Sequence, residues 1–410
     1  MTNAILRGKP DAGNPHVRFD EGEVESAKPR RGSLLYKRIE RRDFLRGLTA
    51  AGGLGLCSGC AGLWPSGDAY SVSVLGDTHY DTAPDTFYHK AFLDLYRGTN
   101  KHPARFKEFI RNAKNWAGPS KRILAASGRC VTSDTAFALQ LGDLVQGDCG
   151  DFAVHKQMLR DTVAFMKSVY PEGFRFITTC GNHDIRHGID GHDNDAVKPY
   201  REFIREYAGA EETTYGFRQG PDLYLILDFN HGVKHMPIVK RILAENPDVR
   251  YTFVVTHGGV IPFDCWNRWF YLGWRGQDDA RREMRALFAR RNAIVLSGHT
   301  HHLELKEVKL PEGTITEMTM NTVQARDNGS ENPAVPENVR EGVENYAAST
   351  WWLDGEPGRR ELAAEYKPYM TRFYHADAVG HAKLRVSDEG VWFDYYGRDA
   401  LTSTKTFRLR

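Results

Sequence analysis

Ser71-Val72-Ser73-Val74-Leu75-Gly76-Asp77-Thr78-His79 alternates small polar and apolar side chains with period two, then breaks at a glycine. That pattern predicts a strand ending in a sharp turn that delivers an aspartate and a histidine. Four further stretches repeat the arrangement. The apolar run Phe137–Leu141 leads into Gly142-Asp143, and Phe174–Thr179 leads into Gly181-Asn182-His183-Asp184. Tyr251–Val255 leads into Thr256-His257, and Ala293–Leu296 into Gly298-His299-Thr300-His301. In open α/β sheets the carboxyl ends of strands are where ligand-bearing loops gather. One such loop is commonplace, whereas five in succession predict a shared site.

Helical periods fill the spaces between these strands: Phe106–Trp116, a helix capped by Asp151 and running to about Val169, Met236–Ala244 and Asp278–Arg290. Thr214–Arg218 and Leu223–Phe229 form a hairpin around Gly220-Pro221. Two more hairpins join Leu303–Leu310 to Thr314–Met318 and Ala382–Val386 to Val391–Tyr396. The order predicts an α/β core with helices covering the sheet faces, in one domain over 67–410. Two stretches read as insertions on that scaffold, about 258–275, rich in aromatics, and 321–374, which contains Trp351 and Trp352.

Asp, His and Asn side chains offer hard oxygen and borderline nitrogen donors, suited to Mn, Fe, Zn or Co. A carboxylate has two oxygens, so Asp143 is able to bridge two metals about 3.5–4 Å apart. Two divalent ions against Asp77, Asp143 and a bridging hydroxide leave a net charge of about +1 for an anionic substrate.

The motif series resembles the calcineurin-like metallophosphoesterase family from Asp77 through His301 and the closing hairpins. The resemblance implies a four-layer sandwich of two mixed β-sheets flanked by α-helices. It implies one metal held by Asp77, His79, Asp143 and His301, and a second by Asp143, Asn182, His257 and His299. His183 corresponds to the proton donor to the leaving group, with Asp184 orienting its ring. The implied activity is hydrolysis of phosphate esters by in-line attack of a metal-bridging hydroxide, with two transition metal ions, Mn, Fe or Zn, as cofactors. Gln146 stands where purple acid phosphatases carry a Tyr, so no phenolate-to-iron charge transfer is expected. Only 109 residues follow His301, which argues against the second substrate domain of periplasmic 5′-nucleotidases. His302 adjoins a ligand and is placed to reach the substrate.

Composition narrows the partners. The chain has 410 residues with 55 Lys+Arg and 53 Asp+Glu, a net +2, which excludes a composition built to bind extended nucleic acid. Residues 1–63 hold 11 of the basic and 7 of the acidic side chains, so the body is mildly acidic. Residues 1–35 read as disordered. Arg41-Arg42-Asp43-Phe44-Leu45-Arg46, followed by the Gly- and Ala-rich run to Leu63, resembles a twin-arginine signal. Residues 1–66 are therefore expected to direct the chain to translocation machinery and a periplasmic or extracellular location. Ser58-Gly59-Cys60 resembles a loose lipoprotein-processing site, which would make Cys60 a lipid anchor. The other cysteines of the body, Cys130, Cys149, Cys180 and Cys265, read either as disulfide partners or as buried thiols.

With no cluster of basic residues evident near the motifs to hold a dianion, the sequence favours a phosphodiester substrate. The alternatives are pyrophosphate or lipid-phosphate hydrolysis at a membrane surface, and a non-catalytic metal-dependent binding protein.

Overall fold

The computed structural model describes residues 68–82, 88–188, 195–262, 271–273, 276–324, 335–347 and 359–410. The arginine pair, Cys57, Cys60, Cys265, Trp351, Trp352 and most of the aromatic insert lie outside the described residues.

Two mixed sheets form the body. The first runs β14 (Lys405–Arg408), β13 (Gly390–Gly397), β12 (Gly380–Ser387), β1 (Tyr70–Leu75), β2 (Thr135–Gln140) and β3 (Phe176–Thr178). The second runs β10 (Glu337–Glu341), β11 (Met370–Asp377), β8 (His302–Leu310), β9 (Gly313–Thr319), β7 (Ile294–Ser297), β6 (Thr252–Thr256), β5 (Asp222–Leu227) and β4 (Tyr215–Gln219). β1, β2 and β3 are parallel, as are β5, β6, β7 and β9, and the remaining pairs are antiparallel. The parallel strands place all five motif loops at one end.

The inner faces meet in one apolar layer that includes Val72, Val74, Phe137, Leu139, Tyr224, Ile226, Phe253 and Leu296. Helices α3 (Pro119–Arg129), α4 (Phe152–Lys167) and α5 (Val197–Ala208) cover the outer face of the first sheet. Helices α6 (Gly232–Glu245) and α7 (Asp278–Arg290) cover the second. The four-layer sandwich expected from the sequence is the fold observed. Two-sided cover explains why all six residues of β1 are buried although two of them, Ser71 and Ser73, are polar. Ser71 and Ser73 turn outward beneath the helices and satisfy their hydroxyls against Thr135 and Tyr170.

The element readings hold with end shifts of a few residues: α7 matches Asp278–Arg290, and Asp151 caps α4 by accepting from Val154 N at 3.0 Å. One expectation is corrected. The stretch 321–374 is not simply an insertion, because β10 and most of β11 lie in it, and β11 pairs with β8 along seven residues. The strand was hard to see because Met370–Asp377 mixes charged and apolar residues on a face that is itself partly polar. Between β1 and β2 the long spacing is filled by α1 (Lys90–Leu95), α2 (Lys101–Ala117) and α3. Among the described residues Cys130, Cys149 and Cys180 are free thiols, so the disulfide option is not realised there.

Candidate dinuclear metal centre

Each motif loop follows its strand directly, and the backbone bends hard at the turn. His79, Asp143, His299 and His301 all adopt positive φ, 39°, 51°, 74° and 59°, a conformation that costs non-glycine residues energy and collects at functional sites. Glycines make room for the approach. Gly142 sits at φ 86°, where a Cβ would come within 2.6 Å of His257 Nδ1. A Cβ at Gly181 would overlap Asp143. The Gln140 side chain clamps the Gly142 turn, donating to its carbonyl at 2.6 Å and accepting from its N–H at 3.1 Å. This explains the polar residue within the otherwise apolar run Phe137–Leu141.

The structure brings all seven predicted ligands together in two adjoining groups. In the first, His301 Nε2 lies 2.9 Å from Asp77 Oδ2 and 3.1 Å from His79 Nε2. In the second, His257 Nε2 lies 3.2 Å from Asn182 Oδ1 and 3.0 Å from His299 Nδ1. Asp143 Oδ2 stands between them, 3.6 Å from His79 Nε2 and 3.2 Å from His257 Nε2. Donors about 2.0–2.2 Å from a common ion are spaced by about 3 Å, so these separations fit two metal positions that share one carboxylate.

The groups outside the ligand atoms also fit. His257 Nδ1 donates to Leu141 O at 2.9 Å, which leaves Nε2 as the ligating atom. Asp77 Oδ1 accepts from His299 N at 2.9 Å, and Asp143 Oδ1 from His183 N at 2.7 Å. Burial pushes the pKa values of His79 and His299 well below the ordinary imidazole value, giving the neutral rings that metals bind. Burial opposes charge on Asp143 too, yet His257 and His183 hold its carboxyl well below the usual range. His257 moves the other way: although burial lowers it, Asp143 and Asp77 raise it to about 9, so an ion binding there displaces a proton.

His183 stands beside the first group, its ring 4.3 Å from that of His79. The role expected for Asp184 is corrected. Its carboxyl does not hold the His183 ring: Oδ1 accepts from Val145 N at 3.1 Å and Oδ2 from Gly181 N at 2.8 Å. The ring is instead oriented by Gln146 O, 3.0 Å from Nδ1. Sequence adjacency misled here, because consecutive residues in a turn point in different directions. Burial, then the neighbouring Asp143, raises Asp184 to about 7.

Sequence reasoning missed what α2 contributes. Arg105, Glu108 and Asn112 follow helical spacing along one face, and Trp116 Nε1 donates to Thr78 O at 2.9 Å. Arg186 Nη1 lies 2.9 Å from His183 Nε2, and its Nη2 is 2.9 Å from Asp148 Oδ2 and 3.5 Å from Glu108 Oε2. Arg105 also reaches Asp148, at 3.5 Å. The charges of Arg186 and Arg111 act on His79, and those of Arg186 and Arg105 on His183. Basic groups thus lie on one side of the site, with Arg105 and Arg186 paired to Glu108 and Asp148. The Gln146 side chain bonds Asn112 and Glu108.

Behind the centre, Thr322 Oγ1 and Val323 N donate to Asp77 O, and Gln324 Nε2 donates to His79 O at 3.1 Å. His302 is drawn away toward Asp377, 2.9 Å distant. His155, His231 and His235 hold Asp184 O, Asp228 and Thr214 respectively, which are structural roles.

The family model for calcineurin-like phosphoesterases matches residues 70–303. By fold the chain is similar to purple acid phosphatase PPD1 from yellow lupin (Lupinus luteus) seeds, at 12% identity and a TM-score of 0.49, covering 84% of this chain and 54% of that one. It is also similar to PhoD, at 10% identity and a TM-score of 0.45, with coverage of 83% and 68%. A dimetal phosphatase from Danio rerio aligns at 10% identity and a TM-score of 0.45, with coverage of 83% and 98%. The chain thus spans about half the length of the lupin enzyme. No curated protein matches it by sequence.

Proposed function

We propose that this chain, which belongs to the calcineurin-like phosphoesterase family, is a dinuclear metal-dependent hydrolase of small phosphate esters. The observation that carries the reading is the single oxygen Asp143 Oδ2, set between the Asp77/His79/His301 group and the Asn182/His257/His299 group. When bound, two divalent ions supply Lewis acidity toward the phosphoryl oxygens and activate water for in-line attack.

The chain's own residues do the rest. Once an anionic substrate draws Arg186 off Nε2, His183 takes up a proton there from solvent and passes it to the departing ester oxygen, with Gln146 O accepting from Nδ1–H throughout. Arg186, which reaches that same Nε2, turns to a phosphoryl oxygen when an anionic substrate arrives. Arg111, whose charge reaches His79, adds positive charge beside the site, and together with Arg186 this favours a doubly charged phosphomonoester. Asp184 keeps the Gly181 and Val145 backbones in place, and through them the loops carrying Asn182 and Asp143. Export through Arg41-Arg42 is part of the same proposal, as is a lipid anchor at Cys60; both rest on sequence alone.

The test is a screen of the metal-loaded protein on phosphomonoesters, diesters and pyrophosphate, alongside Asp143→Ala. Hydrolysis by the parent protein is expected, with activity and both ions lost together in the variant. Near-normal rates in Asp143→Ala would remove the dinuclear reading.

A further inference from the structure

Alternate residues of a strand face the same side of a sheet. Leu303 and Leu305 of β8 face the inter-sheet core, so His302, Glu304 and Lys306 face away from it. On that side β11 sets Asp377 opposite His302 and His375 opposite Glu304. The result is a polar square built from two strands whose residues are more than 70 positions apart in sequence.

Its geometry is that of a donor set. His302 Nδ1 lies 2.9 Å from Asp377 Oδ1, and the rings of His302 and His375 are 4.7 Å apart. One donor atom from each of His302, His375 and Asp377 falls within 4.8 Å of the others. Both histidines are at least nine-tenths buried. The surroundings orient these donors: His375 Nδ1 donates to Glu304 Oε1 at 2.9 Å, leaving Nε2 with its lone pair, and Asn338 Nδ2 donates to Asp377 Oδ2 at 2.7 Å. A carboxylate behind a histidine is the usual support of a metal-ligating imidazole.

Charge points the same way. Glu304, Glu317 and Asp377 share this face with two cations, Lys306 and the edge-strand Arg340, which stands opposite His375 in register. Lys306 is already engaged, 3.1 Å from Glu304 Oε2 and 2.8 Å from Glu317 Oε1. The carboxylates outnumber the cations, and two imidazoles with a carboxylate are a donor set for a borderline divalent ion.

We propose that His302, His375 and Asp377 hold a third divalent transition-metal ion, separate from the dinuclear centre. The ion ties β11 to the start of β8, directly behind ligand His301. Its role is structural: it holds the two strands together and does not touch the substrate.

The test counts ions on the full chain, stripped by chelator, reloaded with Zn²⁺ or Co²⁺ and freed of unbound ion by gel filtration. Three per chain are expected. Asp377→Asn, a change of the same shape at a partly exposed position, should bind two while keeping its phosphoesterase rate within about twofold. The third site's affinity should fall by at least about 100-fold. His375→Gln should show the same loss, as a second reading should either variant fold poorly. Asp143→Ala should retain one ion, which separates this proposal from the reading of the dinuclear centre. A parent protein that binds the same number of ions as Asp377→Asn would overturn it.

Discussion

Arg186 donates from Nη1 to Nε2 of His183 across 2.9 Å, so a buried guanidinium is the immediate neighbour of the atom proposed to protonate the leaving group. Burial, and after it the Arg186 charge, holds the His183 imidazole well below its ordinary pKa, and the ring stands neutral until an anion shares the site. Arg186 is itself anchored through Nη2 to Asp148, with side-chain exposures of 10% and 0%, which leaves Nη1 as the arm toward His183.

Arg186→Lys keeps the charge that Asp148 needs but loses the planar fork. Its kcat/KM on a phosphomonoester should fall by about 10- to 100-fold, with metal content unchanged and a smaller loss on a diester. Steady-state kinetics with elemental analysis would check this. Equal losses on both substrates would show that Arg186 merely supports the fold.

His183 and Asp184 should separate by substrate. An alkoxide needs a proton as it leaves, and a nitrophenolate scarcely does. His183→Ala should be slowed by about 10²–10⁴-fold on an alkyl ester and far less on a nitrophenyl ester. Asp184→Asn should slow both equally, because its carboxyl holds the Gly181 and Val145 backbones and does not touch the His183 ring. A selective loss on the alkyl ester in Asp184→Asn would restore the orienting role.

Acid should destabilise the fold through buried neutral histidines. Burial lowers His381 from 6.5 to about 4, with its Nε2–H donated to Ala400 O at 3.0 Å. The unfolded chain takes up this proton near 6.5 and the folded chain only near 4, so stability is full above 6.5 and declines as pH falls toward 4. The complete effect is about 3 kcal/mol. Urea midpoints of the metal-free protein across this range should fall less steeply in His381→Gln, whose amide can still donate. Parallel slopes would contradict the assignment.

Export should depend on the identity of the arginine pair. Arg41→Lys with Arg42→Lys preserves charge, so retention of the double variant in the cytoplasm, followed by cell fractionation, would show recognition of the pair. Unchanged export would count against a twin-arginine route.

The two-residue and 3.6-residue periods and the glycines at strand ends determined much of this protein. They located five loops, and the family resemblance carried by those loops named the seven candidate ligands that the fold brings together. What the sequence could not show is what approaches from far along the chain. Helix α2 delivers Arg105 and Glu108 beside His183, Thr322 and Gln324 brace Asp77 and His79, and β11 sets Asp377 against His302. The physical reason is that period and turn chemistry are local, written in each few residues. The register between β8 and β11, by contrast, is fixed by packing both strands against the inter-sheet core, and only the folded chain decides it.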